Sequence, residues 1–163
     1  MKGAEGVLTS VRRLIGMPVL LQDKKLGYVE HAYAGQEKLE GIVIRHGIGS
    51  ARWLSAEDIL EMRRECVVAS CKPSALPQLC PKRADRACGT DGRWVGEVSD
   101  WILFNNSLRF AAVEVSPGPL YRLMGHCGYA CDFYRERLSG SVIVPRLLSW
   151  SQLKRLLEEG DDG

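Results

Sequence analysis

The chain has 163 residues, enough for one substantial domain or two small ones, and its 45% hydrophobic and 26% charged residues are the mix of an ordinary globular protein. A formal charge of +2 is too small to point to nucleic acid by itself, and no run approaches ~18 consecutive apolar residues, so no membrane span is expected. No basic-then-apolar leader opens the sequence, so a cytoplasmic protein is expected, whose six cysteines are thiols or metal ligands rather than disulfides.

The first half alternates strand and turn signals. Met1–Gly6 has little to bury and is expected to be disordered, as is Gly160–Gly163. Met17–Leu21 is apolar and follows Gly16; Gln22–Lys25 is a polar turn; Leu26–Ala32 reads as a second strand. Leu39–Arg45 is a third, rich in β-branched residues, and the two glycines of His46–Ser50 mark a hairpin turn before the strand Ala51–Leu54. Ser55-Ala56-Glu57-Asp58 has the pattern of a capping box opening a short helix, and Cys66–Ser70 reads as a closing strand.

Charge is uneven along the chain. Residues 1–70 carry ten Lys/Arg against nine Asp/Glu, residues 71–86 four against one, and residues 87–163 eight against ten. The middle stretch places Lys72, Lys82, Arg83 and Arg86 among Pro73, Pro77 and Pro81, so it reads as a solvated linker with a secondary RNA or phosphate reading.

The second half repeats the grammar of the first. Trp94-Val95-Gly96-Glu97-Val98 echoes Lys25-Leu26-Gly27-Tyr28-Val29; twelve residues beyond each glycine stand Leu39 and Leu108, both expected to open strands. Leu148-Ser149-Trp150-Ser151-Gln152-Leu153 then resembles Leu54-Ser55-Ala56-Glu57-Asp58-Ile59. Three anchors in one order predict a tandem repeat: a mainly β protein of two small barrel-like units over 8–70 and 87–150, joined by a 71–86 linker.

Gly27 to Ser55 is twenty-eight residues and Gly96 to Ser149 is fifty-three, so an insertion is placed within Ser116–Gly140. Leu120, Met124, Cys127, Cys131, Tyr134 and Leu138 fall at steps of four and three, which predicts a largely helical segment with one apolar face, broken near Gly125 and Gly128. Arg122, Arg135 and Arg137 are expected on its wet side. A last helix over residues 151–160, opened by Ser149 and stopped by Gly160, completes the chain.

The repeated unit resembles the PRC-barrel family, the small β-barrel of the photosynthetic reaction-centre H subunit and of the C-terminus of the ribosome-maturation factor RimM. The residues carrying the resemblance are Ile15-Gly16-Met17-Pro18-Val19, Lys25-Leu26-Gly27-Tyr28-Val29, Leu39-Glu40-Gly41-Ile42-Val43-Ile44 and Arg52-Trp53-Leu54-Ser55-Ala56-Glu57-Asp58-Ile59. They cover residues 8–70 well and residues 87–150 in part, because the second copy lacks a clear Ile-Gly-x-Pro-Val start and carries the insertion. The resemblance implies docking onto larger complexes. It implies no catalytic residues, and no cofactor is expected.

The residues themselves offer little catalytic chemistry. The histidines His31, His46 and His126 stand in no hydrolase, Walker or zincin motif, and the pairs Glu57/Asp58 and Glu158/Glu159 sit at helix ends, so no enzyme is expected. Cys127 and Cys131, four apart on a helix, are the metal-ligand candidates, with His126 pointing about 100° away and further ligands to come from Cys66, Cys71, Cys80 or Cys88. Their alternative role is to fill an apolar stripe. The expected function is therefore a non-enzymatic protein-binding or scaffold module, with a homodimer allowed for and Trp101, Arg122, Tyr134, Arg135 and Arg137 as partner-contact candidates. An RNA- or ribosome-associated assembly factor and a thiol/metal module are the alternatives.

Overall fold

The computed structural model describes residues 7–78 and 85–159. The expected disordered termini lie outside them, as do Cys80, Pro81, Lys82 and Arg83 of the expected linker. The elements run β1 (Leu8–Ser10), α1 (Val11–Leu14), β2 (Pro18–Leu21), β3 (Lys24–Ala34), β4 (Leu39–Arg45), β5 (Arg52–Ser55), a 3₁₀ turn (Ala56–Asp58), β6 (Ile59–Met62), β7 (Val67–Ala69) and β8 (Ser74–Ala75). They continue with β9 (Arg86–Cys88), β10 (Trp94–Phe104), β11 (Phe110–Ser116), α2 (Pro119–Leu123), β12 (Gly128–Ala130), β13 (Tyr134–Arg135), β14 (Val142–Ile143) and α3 (Trp150–Glu159). Ser74–Ala75 and Arg86 are thus strand residues inside the stretch expected to be linker. No helix among the described residues is long and apolar enough to cross a membrane.

The fold is mainly β, in two curled half-barrel sheets with a helix at the C-terminal end. The first sheet has the order β6-β7-β2-β3-β4-β5-β8. The second has the order β13-β14-β9-β10-β11-β12, with β1 added at the far end of β10. Read from one edge, the first six strands correspond one to one. The senses correspond too: β2 runs parallel to β7 and β9 parallel to β14, while β2–β3 and β9–β10 are antiparallel.

Register carries the correspondence to single residues. Val19 faces Gly27 across one strand and Val67 across the other; Ala87 faces Gly96 and Val142 in the same way. Each glycine sits beside a register shift, between Val19 and Leu20 in one sheet and between Trp94 and Gly96 in the other. A β-carbon at Gly27 would stand 2.5 Å from the Arg45 carbonyl oxygen, and one at Gly96 would stand 2.6 Å from that of Ser116. The strands containing the two glycines therefore occupy the same place in their sheets.

The other two anchors behave differently. Leu39 opens β4 as expected, but Leu108 sits in the turn before β11 with φ +57°. Ile42 pairs with Leu54 as Val113 pairs with Ala130, so the counterpart of Leu54 is Ala130 and not Leu148. The expected twenty-five-residue insertion follows from that misplaced anchor. The real excess is in the β11–β12 connection, which has eleven residues between Ser116 and Gly128 against six between Arg45 and Arg52. Nor is 116–140 largely helical: α2 is one turn of five residues, followed by β12 and β13. The apolar spacing that mimics a helix is divided among a turn and two strands.

The capping boxes also part company. Ser55 makes no side-chain cap, and its segment is a 3₁₀ turn leading into the strand β6. Ser149 makes a reciprocal cap: its Oγ accepts from the Gln152 N–H at 3.2 Å, and its own N–H donates to Gln152 Oε1 at 2.8 Å. That closes the first turn of α3, whose Leu153 is fully buried.

The chain divides into two compact units that are discontinuous in sequence: Met1–Pro81 with Ile102–Phe110, and Lys82–Trp101 with Ala111–Gly163. The core of the first unit is Leu14, Val19, Val29, Leu39, Ile42, Ile44, Leu54 and Val67, closed by Leu103 and Leu108 from the tip of the β10–β11 hairpin. In the second unit Ala87, Ala111, Ala112, Val113, Val115, Ala130, Val142 and Leu153 are buried.

Two expectations follow. Gly27→Ala and Gly96→Ala should each lower stability in urea unfolding by about 1–3 kcal/mol, because the added methyl meets backbone that has no rotamer to move. Leu103→Ala should cost about 2–4 kcal/mol, and hydrogen exchange should show the lost protection in β2–β4, far from it in sequence, rather than in β9 and β14.

Candidate functional site

β11 reads Phe110-Ala-Ala-Val-Glu-Val-Ser116, an apolar run interrupted by one carboxylate. Strand alternation sends Val113 and Val115 to one face and Glu114 to the other, where the corresponding residue of the first sheet is the buried Val43. Glu114 is only 8% exposed. A carboxylate so placed needs donors and a cation, and the second unit supplies them. Ser99 Oγ donates to Glu114 Oε1 at 2.7 Å, the Tyr129 hydroxyl donates to Oε2 at 3.1 Å, and Arg122 Nε stands 3.7 Å from Oε1.

Tyr129 is the centre of a second layer. It pairs with Glu114 across β11–β12, its ring lies 5.0 Å from that of Trp150 on α3, and the Cys127 thiol contacts its hydroxyl at 3.8 Å. Burial first, then the Cys127 contact and the Glu114 charge, hold the Tyr129 hydroxyl well above the ordinary tyrosine range. It stays protonated and donating throughout the physiological range.

Arg122 links this interior to the surface. It lies on α2, and its side chain turns inward to Glu114. At 100° per residue, Leu120 and Met124 then point about 160° away from it, and Tyr121 and Leu123 about 100° to either side. Their exposures follow: Leu120 is 67% exposed, Tyr121 53%, Leu123 86% and Met124 64%. No residue of α2 is buried. The turn is inside-out, with its one charge inward and its apolar side chains in water.

A second ion pair stiffens the other edge of this unit. Arg135 makes a bidentate bond to Asp85, at 2.8 and 3.1 Å, and lies 5.4 Å over the Trp101 ring, which meets Phe133 edge-on at 5.7 Å. Trp101 is buried, so it is not an exposed contact residue. Arg122 and Arg135, expected on a wet face, both turn to internal carboxylates because a buried carboxylate without a cation is the costlier arrangement. Tyr134 and Arg137 are exposed.

The proposed metal ligands are not brought together. Cys127 turns to Tyr129, the exposed His126 has its ring 6.5 Å from that of Tyr121, and Cys131 is half-buried. Among the described residues no three His, Cys, Asp or Glu side chains are placed to hold a metal ion. A cleft of about 200 Å³ in the first unit is lined by Lys38, Glu57, Ile59, Met62, Asn105 and Leu108, among others.

No family model matches the chain, and no curated protein matches it.

Ser99, Glu114 and Tyr129 escaped the sequence reading. The available signal was Glu114 itself, a lone charge inside a seven-residue strand whose other residues are apolar or small. Tyr129→Phe tests the cluster. The unfolded chain ionises this tyrosine near its ordinary pKa of 10.0, whereas the folded chain does not until higher pH. Its contribution is therefore fully present below about pH 10 and lost as pH rises above it. Urea midpoints between pH 8 and 11 should fall more steeply for the native protein than for Tyr129→Phe.

Proposed function

We propose that the chain is a non-enzymatic, cytoplasmic protein-binding module made of two related PRC-barrel-like units, with α2 of the second as its docking element. Support for the two units comes from their shared strand order, parallel closure and equivalent glycines. Free thiols at Cys66, Cys71, Cys88, Cys127 and Cys131 fit a reducing compartment.

The observation that carries the docking assignment is the inside-out turn. The inward Arg122 neutralises the buried Glu114, but the exposure of four large apolar side chains on the same segment has no benefit to the isolated fold. A partner that covers Leu120, Tyr121, Leu123 and Met124 supplies the benefit, since it removes their apolar area from water, tyrosine is enriched among interface anchors and methionine adapts to the surface it meets.

The test replaces Leu120, Leu123 and Met124 together by serine and places a photo-crosslinker at Leu123 in otherwise native protein. The triple variant should keep its urea midpoint, because all three side chains are exposed, and lose at least tenfold of partner capture. The crosslinker should capture that same partner. Undiminished capture by the triple variant would refute the assignment of docking to α2.

A further inference from the structure

We propose that the first unit binds an extended peptide, which lies in the cleft along β6 and joins the sheet there as one more strand. The site is separate from α2 and does not rest on its docking role.

The position follows from the strands that end the two sheets. β12 is closed by the bridge from Tyr129 to Leu148, and β8 and β13 are two residues each. β6, with four residues, is the longest of these end strands and pairs with β7 alone. Ladder geometry turns the Met62 main chain away from β7. The Arg63 N–H donates to the Cys66 carbonyl at 2.9 Å, so the adjoining pair Met62–Val67 is a non-hydrogen-bonded one. The Met62 N–H and carbonyl therefore point to the open side, and the Asn105 amide meets that carbonyl there. The cleft of about 200 Å³ runs along this side, lined by Lys38, Leu60, Met62, Asn105, Asn106 and Leu108, all within the first unit.

Three features suit main chain better than a compact ligand. The volume is below the roughly 300 Å³ at which small-molecule pockets begin. The Asn105 amide is poorly used: Nδ2 reaches the Met62 carbonyl only at 3.5 Å, and Oδ1 is buried without a hydrogen-bond partner, an arrangement that native interiors rarely keep. An added strand uses both groups. A peptide N–H replaces Nδ2 on the Met62 carbonyl, and the released amide turns to the peptide's own main chain. Finally, Leu60 stands unpaired at the register shift between Ile59 and Glu61 and is 71% exposed, beside the buried Met62 and Leu108. Edges that must stay unpaired are blunted with lysine or proline, whereas a leucine gives the alternate side chains of an added strand an apolar neighbour. A second copy pairing β6 with β6 would bring its own 105–108 turn into the same space, which a cleft of about 200 Å³ cannot hold. A peptide strand without flanking structure is the occupant that fits.

Recognition through main chain makes a generic strand former a sufficient probe. The probe is acetyl-Thr-Val-Thr-Val-Thr-amide, and its control is the same peptide N-methylated on the central residues. Titrated into isotopically labelled full-length protein to about 5 mM, the unmodified peptide should shift the Leu60 and Met62 amide signals with a Kd of about 1 mM. It should also slow hydrogen exchange at Met62 by about fivefold or more. The methylated peptide should do neither. Asn106→Trp, at an exposed turn residue, should keep the urea midpoint and weaken binding by about fivefold or more, because the indole fills the cleft. Absence of shifts at Leu60 and Met62 would overturn the proposal, as would equal binding of the methylated peptide or undiminished binding by Asn106→Trp. Protection of Met62 that grows with protein concentration in the absence of peptide would place a second copy on the edge and overturn it equally.

Discussion

In each sheet a glycine lies against the carbonyl at the end of the neighbouring strand, too close for any side chain. Gly27 meets Arg45 in this way and Gly96 meets Ser116. The approach comes with a register shift beside the same glycine, and a shifted ladder bends and twists more than a regular one. From that bend the rest of each sheet follows. β2 and β9 are turned far enough to meet β7 and β14 in parallel, a pairing no hairpin provides. The residues at those parallel seams, Val19 with Val67 and Ala87 with Val142, are all fully buried.

The first unit adds a constraint of long range. Its core is not complete within its own stretch of sequence, because Leu103 and Leu108 come from a hairpin whose strands otherwise belong to the second unit. Contacts of such separation in sequence carry loop-closure entropy before they stabilise anything. The β1 strand, at the opposite end of its unit's sequence, also finds its partner on that hairpin. The first unit therefore depends on segments that no contiguous cut of the chain would keep together.

This explains what could be read from the sequence and what could not. The strands β2 to β5 were legible because alternation, β-branched residues and turn glycines are local signals, and Leu39–Arg45 was placed to the residue. Gly27 and Gly96 were legible as equivalents because backbone approach tolerates no other residue. The Leu54/Leu148 match misled because a leucine before a serine-headed turn is local capping chemistry that recurs wherever a helix begins. Leu120 to Leu138 misled because a turn followed by two short strands samples apolar residues at steps of three and four without any helix. The polar cluster needed the pairing of β11 with β12 to bring Glu114 to Tyr129, and Ser99 came from a third strand.

At one spot two differences between the units are coupled. Where the first has Val43 facing Trp53, the second has Glu114 facing Tyr129. Where the first joins β4 to β5 by a short turn, the second has the longer connection that carries α2. A carboxylate at the Val43 position alone would be a buried charge without a cation, and the longer connection alone would be a loop with nothing to hold it. Arg122 joins the two, because it belongs to the connection and neutralises the carboxylate. Its inward direction then fixes the outward direction of Leu120 and Met124 by helical geometry. The buried acid is thus the anchor that keeps an apolar turn displayed instead of letting it collapse onto the sheet.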